Sequence, residues 1–283
     1  MTDFSRRDVL KYARGTFAAV AAASRIDANP LGLPLGCQTW PVREMISKDY
    51  RATFKQLSAA GFRTVELCSP VGYASSGFAS LTSLKGAELK RILSDEGLQC
   101  HSSHFGMDEL RKDLPGRIAW ASDVGLTQML VPSLEGPKNP SMDDVKRAAE
   151  EYNKIAAQSA KAGIQQGLHN EDFELTTVDG KRTYDLLFGL LDPKLVKMQF
   201  QVSIIADGYD PVAYFNKYPG RFISMHVQDL APDKKTMVPV GKGIVEWKKV
   251  FAAAKKGGIK NYFVEMDLDL MKASVPYLRQ LKV

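Results

Sequence analysis

Eight times along this chain a short apolar run gives way to a stretch with apolar residues at helical spacing, at roughly thirty-residue intervals. The runs at 33–40, 64–68, 98–104, 128–131, 164–168, 196–202, 222–227 and 261–265 read as strands. Helices are expected at 50–60, 86–96, 115–124, 142–162, 184–191, 210–217 and 246–256, with a last one closing near Leu281. Glycines 61, 97, 125 and 257–258 stand where helices would end, and Ser141 and Asp210-Pro211 stand where they would begin. Strands that are apolar throughout are buried on both faces, which calls for a parallel sheet covered by helices. Eight such units in one composition regime predict a single (β/α)8 TIM barrel over 25–283 rather than a doubly wound open sheet. No Gly-x-Gly-x-x-Gly follows the first strand, which removes the dinucleotide-binding signal.

A chain of 283 residues, 45% hydrophobic and 25% charged, suits one barrel of that kind. Its net charge of +6 is mild, and +2 of it falls within residues 1–24. There Ser5-Arg6-Arg7-Asp8 precedes an alanine-rich run at 16–23, which reads as a twin-arginine export signal with cleavage near Ala21-Ala22-Ala23-Ser24. On that reading the protein is periplasmic or secreted. If 1–24 are instead an amphipathic first helix, it is cytoplasmic. No basic stripe with interleaved aromatics points to nucleic acid, and no apolar run is long enough for stable membrane insertion. An oligomer is compatible with the sequence. Cys37, Cys68 and Cys100 lie in separate strands without metal-ligand spacing and read as buried thiols.

Chemistry concentrates at strand ends, where active sites of such barrels lie. The stretch from Gly167 to Glu174 ends the fifth strand with one imidazole and three carboxylates in six residues. The next three strands finish at Gln201, His226 and Glu265, and all four histidines (His101, His104, His169, His226) fall in or at the end of a strand. Alternation puts His169 and Glu171 on one face and Asn170 and Asp172 on the other. His169, Glu171, Gln201, His226 and Glu265 would then converge in the late half of the mouth. An imidazole with two carboxylates suits a divalent ion such as Mn2+, Zn2+ or Mg2+.

Several segments together resemble the sugar phosphate isomerase/epimerase group of the xylose isomerase-like TIM-barrel superfamily. They are Val65-Glu66, the His-Asn-x-Asp-Phe-Glu run at 169–174, Asp210-Pro211 with Tyr218-Pro-Gly-Arg221, and His226-Val-Gln-Asp229. Val240-Gly-Lys-Gly243 with Trp247 and Phe263-Val-Glu-Met-Asp267 complete the set. The resemblance covers about 33–283 and implies one divalent metal, held by a Glu, an Asp, a His and a Glu on successive late strands, with proton transfer through an enediolate. It also admits keto-glycoside lyases and dehydratases. His226 and Glu265 fall on the last two ligand positions, and either His169 or Glu171 on the first. The usual Asp falls on Gln201, the usual His-Asn-His on His169-Asn170-Glu171, and the usual Lys on Gln228. Glu171 either restores the charge lost at Gln201, or the changes mark a metal-free sugar-binding protein. On the enzyme reading Glu171 and Glu265 are the acid/base pair. Trp40, Glu66, His104 and Asn170 are expected to contact the substrate, a small carbohydrate. Phosphodiester cleavage, which a related barrel supports, usually needs several metals and many more than four histidines.

Overall fold

The computed structural model describes residues 29–283; the export segment expected at 1–24 lies outside the described residues. Eight parallel strands close into a barrel: β1 (Gly36–Gln38), β2 (Thr64–Cys68), β3 (Gln99–His104), β4 (Gln128–Val131), β5 (Gln165–Leu168), β6 (Val196–Gln201), β7 (Phe222–Val227) and β8 (Asn261–Val264). Each pairs with its sequence neighbour, and β8 returns to β1 through Gly36 opposite Phe263. Among the described residues eight α-helices cover the barrel: α1 (Arg43–Ala60), α2 (Gly86–Asp95), α3 (Met107–Val124), α4 (Met142–Lys161), α5 (Thr183–Leu190), α6 (Pro211–Lys217), α7 (Trp247–Gly257) and α8 (Leu268–Gln280). The TIM barrel is the fold the rhythm predicts. Among the described residues no helix is long and apolar enough to cross a membrane.

The elements start and stop for local reasons. Ser141 caps α4 by accepting from Asp144 N, and the Asp210 side chain accepts from Val212 N at the head of α6. Gly61 (φ 109°) and Gly125 (φ 89°) end α1 and α3 in the left-handed region that favours glycine. Two helices are longer than the sequence pattern suggests. α1 begins at Arg43 and α3 at Met107, and each is broken once, at Asp49 and at Asp113. Both aspartates accept from a backbone N–H three residues on (Ala52 N at 2.9 Å, Gly116 N at 3.0 Å), so each re-caps its helix after the break. The expected helix at 50–60 is therefore the second part of α1. β1 is shorter than expected, because the chain turns into a 3-10 helix at Trp40.

Between the strands and the helices lies the main apolar layer. Phe200 packs edge-on against Phe215 and Phe222, and Tyr262 against Phe251. Cys37, Cys68 and Cys100 are buried free thiols, as expected. The inside of the barrel is different. Gln38, Glu66, Ser102, Gln199, Ser224 and His226 are fully buried there, where barrels of this kind usually carry Val, Ile and Leu. That polar floor carries the site.

Candidate active site

Glu66 is the centre of the floor. Strand register places it beside Gln38 on β1 and Ser102 on β3, and neither oxygen is left bare. Oε1 accepts from Gln38 Nε2 (2.9 Å) and His226 Nε2 (2.6 Å) and lies 3.3 Å from His104 Nε2. Oε2 accepts from Ser102 Oγ (2.5 Å) and Gln199 Nε2 (2.9 Å). Burial alone would raise its pKa, but the charges and hydrogen bonds of His104 and His226 hold it well below the usual carboxylate range. Glu66, expected among the substrate contacts, faces protein donors on every side and props up two histidines from below.

Three histidine rings stand on that floor. His104, His169 and His226 offer ligand atoms all within 4.8 Å of one another, with His169 and His226 centred 4.5 Å apart. They come from β3, from the residue after β5 and from β7. Gln199 fixes the orientation of His104: its amide nitrogen serves Glu66 and Ser224, so its oxygen accepts from His104 Nε2 at 2.7 Å. His226 is gripped on both nitrogens, by Glu66 and by Glu265 Oε2 (3.0 Å from Nδ1). Burial lowers its pKa, and the two carboxylates more than offset this, pushing it up. His169 is fully buried, and neither ring nitrogen has a hydrogen-bond partner among the described residues. Burial and the charge of His226 press its pKa down, so the ring is neutral and one nitrogen carries a lone pair. His101 points elsewhere, half-buried, with Nε2 3.2 Å from Gln99 Oε1.

Late strand ends form the wall. Glu265 Oε2 collects three donors: His226 Nδ1, Gln201 Nε2 (2.8 Å) and Gln228 Nε2 (2.9 Å). Its burial penalty is outweighed mainly by His226, which keeps the carboxyl below its ordinary pKa. Glu171 lies past the end of β5, its side chain 46% exposed and Oε1 3.5 Å from His169 Nε2, so both residues do project to one side. Asn170 turns the other way and is fully buried. Its Oδ1 accepts from Gln201 N at 2.8 Å, and its Nδ2 has no partner among the described residues. A cavity of about 160 Å3 opens between these walls, lined by Glu171, Glu265, His104, Tyr73, Cys68, Pro132 and Trp40. Trp40, 36% exposed, stands at the rim edge-on to Tyr73 with the Arg43 guanidinium over its ring.

Two further carboxylates explain parts of the sequence that look like site residues. Asp229 is fully buried and receives Gly241 N (2.9 Å), Gly243 N (3.2 Å), Val245 N (3.2 Å) and Trp247 Nε1 (2.8 Å). The glycine loop at 241–243 therefore spends its amides on this carboxylate. A Cβ at Gly243 would lie 2.2 Å from Asp229 Oδ1, so the loop closes only over glycine. Glu174 is also fully buried, but only Leu134 N donates to its Oε1 (2.9 Å), and Oε2 has no partner among the described residues. Burial pushes its pKa up to about 8.

The sequence profile of the xylose isomerase-like TIM barrel family matches residues 54–280. The chain belongs to that family. Among solved structures, a sugar phosphate isomerase/epimerase from Parabacteroides distasonis is similar at 23% identity and TM-score 0.73, covering 88% of this chain and 96% of its own. A D-psicose 3-epimerase from Clostridium cellulolyticum, solved with D-tagatose, matches at 12% identity and TM-score 0.69, over 88% and 99% of the two chains. A xylose isomerase-like TIM barrel protein from Mycobacterium smegmatis, in complex with magnesium, matches at 15% identity and TM-score 0.65, over 89% and 97%. Comparison with curated proteins finds no match. At these identities the likeness is one of fold.

The donor chemistry of the late strand ends fits a divalent ion. His169 holds an unshared lone pair, Gln201 Oε1 is buried without a partner among the described residues, and Glu265 Oε2 sits at contact distance from an imidazole nitrogen. Reading the sequence alone missed Gln38, Ser102 and Gln199. Gln199 was within reach, since it stands two residues before Gln201 on β6 and so shares its face.

Proposed function

We propose that this protein is a carbohydrate isomerase or epimerase that moves a proton on the carbon next to a sugar carbonyl. One observation carries the reading: Glu171 and Glu265 line the same small cavity, both held as carboxylates, with His104 beside them. Glu171 would otherwise be raised by its partial burial, but His169 and the neighbouring rings pull it down, so it too enters the reaction ionised. One carboxylate can take a carbon-bound proton from one face and give it to the neighbouring carbon, which yields an isomer by way of an enediolate. An epimer forms when the second carboxylate takes the proton of the adjacent hydroxyl and delivers it to the same carbon from the opposite face, while the first returns its proton to that oxygen.

The residues that would hold a divalent ion are drawn from His169, Glu171, Gln201, His226 and Glu265. Such an ion supplies polarisation of the sugar carbonyl and stabilises negative charge developing on its oxygen. His226, braced by Glu66, keeps Glu265 in place, and Gln201 and Gln228 keep its Oε2 from turning. Trp40 offers a flat apolar face to one side of the ring. The cavity is below the ~300–1,000 Å3 of drug-sized pockets, which suits a single sugar unit. With the 241–243 amides committed to Asp229, that loop gives no cradle for a phosphate, and an unphosphorylated ketose or keto-glycoside is the favoured substrate. The half-exposed Glu171 at the mouth also suits a keto-glycoside lyase, in which it would first take the carbon-bound proton and then give it to the departing glycosyl oxygen. Export through the pattern at 1–24 would put the protein where sugar phosphates are scarce.

The test is a panel of ketoses and 3-keto-glycosides in D2O, with and without added metal, read by NMR. Deuterium entering one carbon next to the carbonyl is the expected result, and loss of the glycosyl group would select the lyase. No exchange and no elimination on any member, with sugar binding retained, would leave a binding protein in place of an enzyme.

A further inference from the structure

The early-strand side of the cavity is aromatic, and its position is set from outside the cavity. Trp40 and Tyr73 both line it. Tyr73 meets Trp40 edge-on with ring centres 5.9 Å apart, and it meets the fully buried Phe78 edge-on at 6.3 Å. Tyr73 belongs to the loop that leaves β2 after Cys68, which holds two short 3-10 turns before α2 begins at Gly86. Ser69 N donates to His104 O at 2.8 Å and Tyr73 N to Ser69 O at 3.0 Å, so the loop turns back on itself at once.

One side chain from another part of the fold clasps that turn. Glu109 stands in the first turn of α3, outside the residues that line the cavity. Its Oε1 accepts from Gly106 N at 3.0 Å, which caps its own helix. Its Oε2 accepts from Ser69 Oγ at 2.7 Å, 40 residues back along the chain. Gly72 packs on the same carboxylate so closely that a Cβ there would lie 2.1 Å from Oε1. Burial raises the pKa of Glu109, while Ser69, Gly106 N, Arg117 and Gly72 N oppose that rise. A residue that served only as a helix cap would need the Gly106 bond alone. The cap of α4 shows the difference. There Asp144 answers Ser141 within three residues, and its ion-pair partner is Arg147 on the same helix.

Ser69 joins the clasp to the wall. Its hydroxyl goes to Glu109 and its carbonyl accepts from Tyr73 N, so the place of the carboxylate reaches the Tyr73 backbone through one residue. Tyr73 then supports the Trp40 indole from its edge, while the Arg43 guanidinium covers one face of that ring at 4.4 Å.

We infer that Glu109 is a positioning residue: through Ser69 and Gly72 it seats Tyr73 against Trp40, and so sets how tightly the site holds a sugar without touching one. The sugar half of this inference rests on the proposed function, and a measurement made without sugar keeps the two failures apart.

The experiment compares the full chain with Glu109→Ala, Glu109→Gln, Ser69→Ala and, as a control, Ser141→Ala. Acrylamide quenching of tryptophan fluorescence reads the wall, with Trp40→Phe subtracted to separate Trp40 from Trp120 and Trp247. Glu109→Ala and Ser69→Ala should each raise the quenching of Trp40 about twofold as Tyr73 leaves its edge. With D-tagatose as the probe sugar in D2O, the same two should raise KM about fivefold and keep kcat within about twofold of the parent. Glu109→Gln still accepts from Gly106 N and can give its amide to Ser69 Oγ, so it should restore both readings. Ser141→Ala removes a cap from α4 and should change neither. Circular dichroism checks that each variant is folded, and Ser69→Ala decides the matter if Glu109→Ala does not fold. Unchanged Trp40 quenching in a folded Glu109→Ala or Ser69→Ala, unchanged KM in both, or the same losses in Ser141→Ala would each overturn the inference. No exchange by the parent on any sugar of the panel counts against the proposed function, and the quenching series then decides the inference on its own.

Discussion

The two sides of His226 are built on opposite plans. Below it, Glu66 is enclosed by donors from β1, β3, β6 and β7, with both oxygens occupied. Above it, Glu265 is held on Oε2 alone and lines a cavity, while the neighbouring His169 and Gln201 keep buried acceptors unpaired among the described residues. Glu174 is a third case, as buried as Glu66 but with one donor where Glu66 has four. Its pKa goes up where that of Glu66 goes down. Burial alone does not decide what a carboxylate does in this barrel; the imidazole rings beside it do.

The comparison breaks most visibly at its lower half. Glu66→Ala would leave His226, His104, Gln199, Ser102 and Gln38 facing an empty place, at a cost of about 3–5 kcal/mol in chemical denaturation. A loss under about 1 kcal/mol would show that the floor is not the support described here. At the upper half the expected effect falls on rate and not on folding. Glu265→Gln and Glu171→Gln should each slow deuterium exchange by about 10²- to 10⁴-fold while melting close to the parent protein. Full exchange in either variant removes that residue from the acid/base pair.

Glu174 sharpens the contrast through pH. Its folded pKa lies above the unfolded value, so the native state keeps a proton that the unfolded chain releases between about pH 4.5 and 8. The stability it contributes is full below about pH 4.5 and is lost as pH rises to 8, by an amount on the order of 5 kcal/mol. Glu174→Gln keeps the oxygen that accepts from Leu134 N and should flatten that decline. Parallel pH curves for the two proteins would count against it. The smallest effect belongs to the rim: Trp40→Ala should raise KM by about five- to tenfold, or roughly 1 kcal/mol, with kcat little changed.

How much of this could be read from the sequence follows from the range of each interaction. The barrel was legible because strand, helix and capping glycine recur locally, and Asp210-Pro211 announces its helix within two residues. Arg43 and Met107 hide their helix starts, since Asp49 and Asp113 imitate fresh caps in mid-course. The pairing of His169 with Glu171 followed from alternation along one segment. Glu66 was expected at the substrate; its protein partners stand on four other strands, and only the register between them reveals a closed network. The commitment of the 241–243 amides was hidden for the same reason, for nothing adjacent to that loop names Asp229 as its acceptor.

The floor around Glu66 also bears on how the chain reaches its native state. Its partners enter at Gln38, Ser102 and His104, and then not again until Gln199 and His226. A half-barrel of β1 to β4 would hold this carboxylate with only part of its shell, and the charge would stay hydrated until the later strands arrive. Dehydration of this one side chain therefore requires residues from both halves of the barrel, the same halves that bring the histidines together.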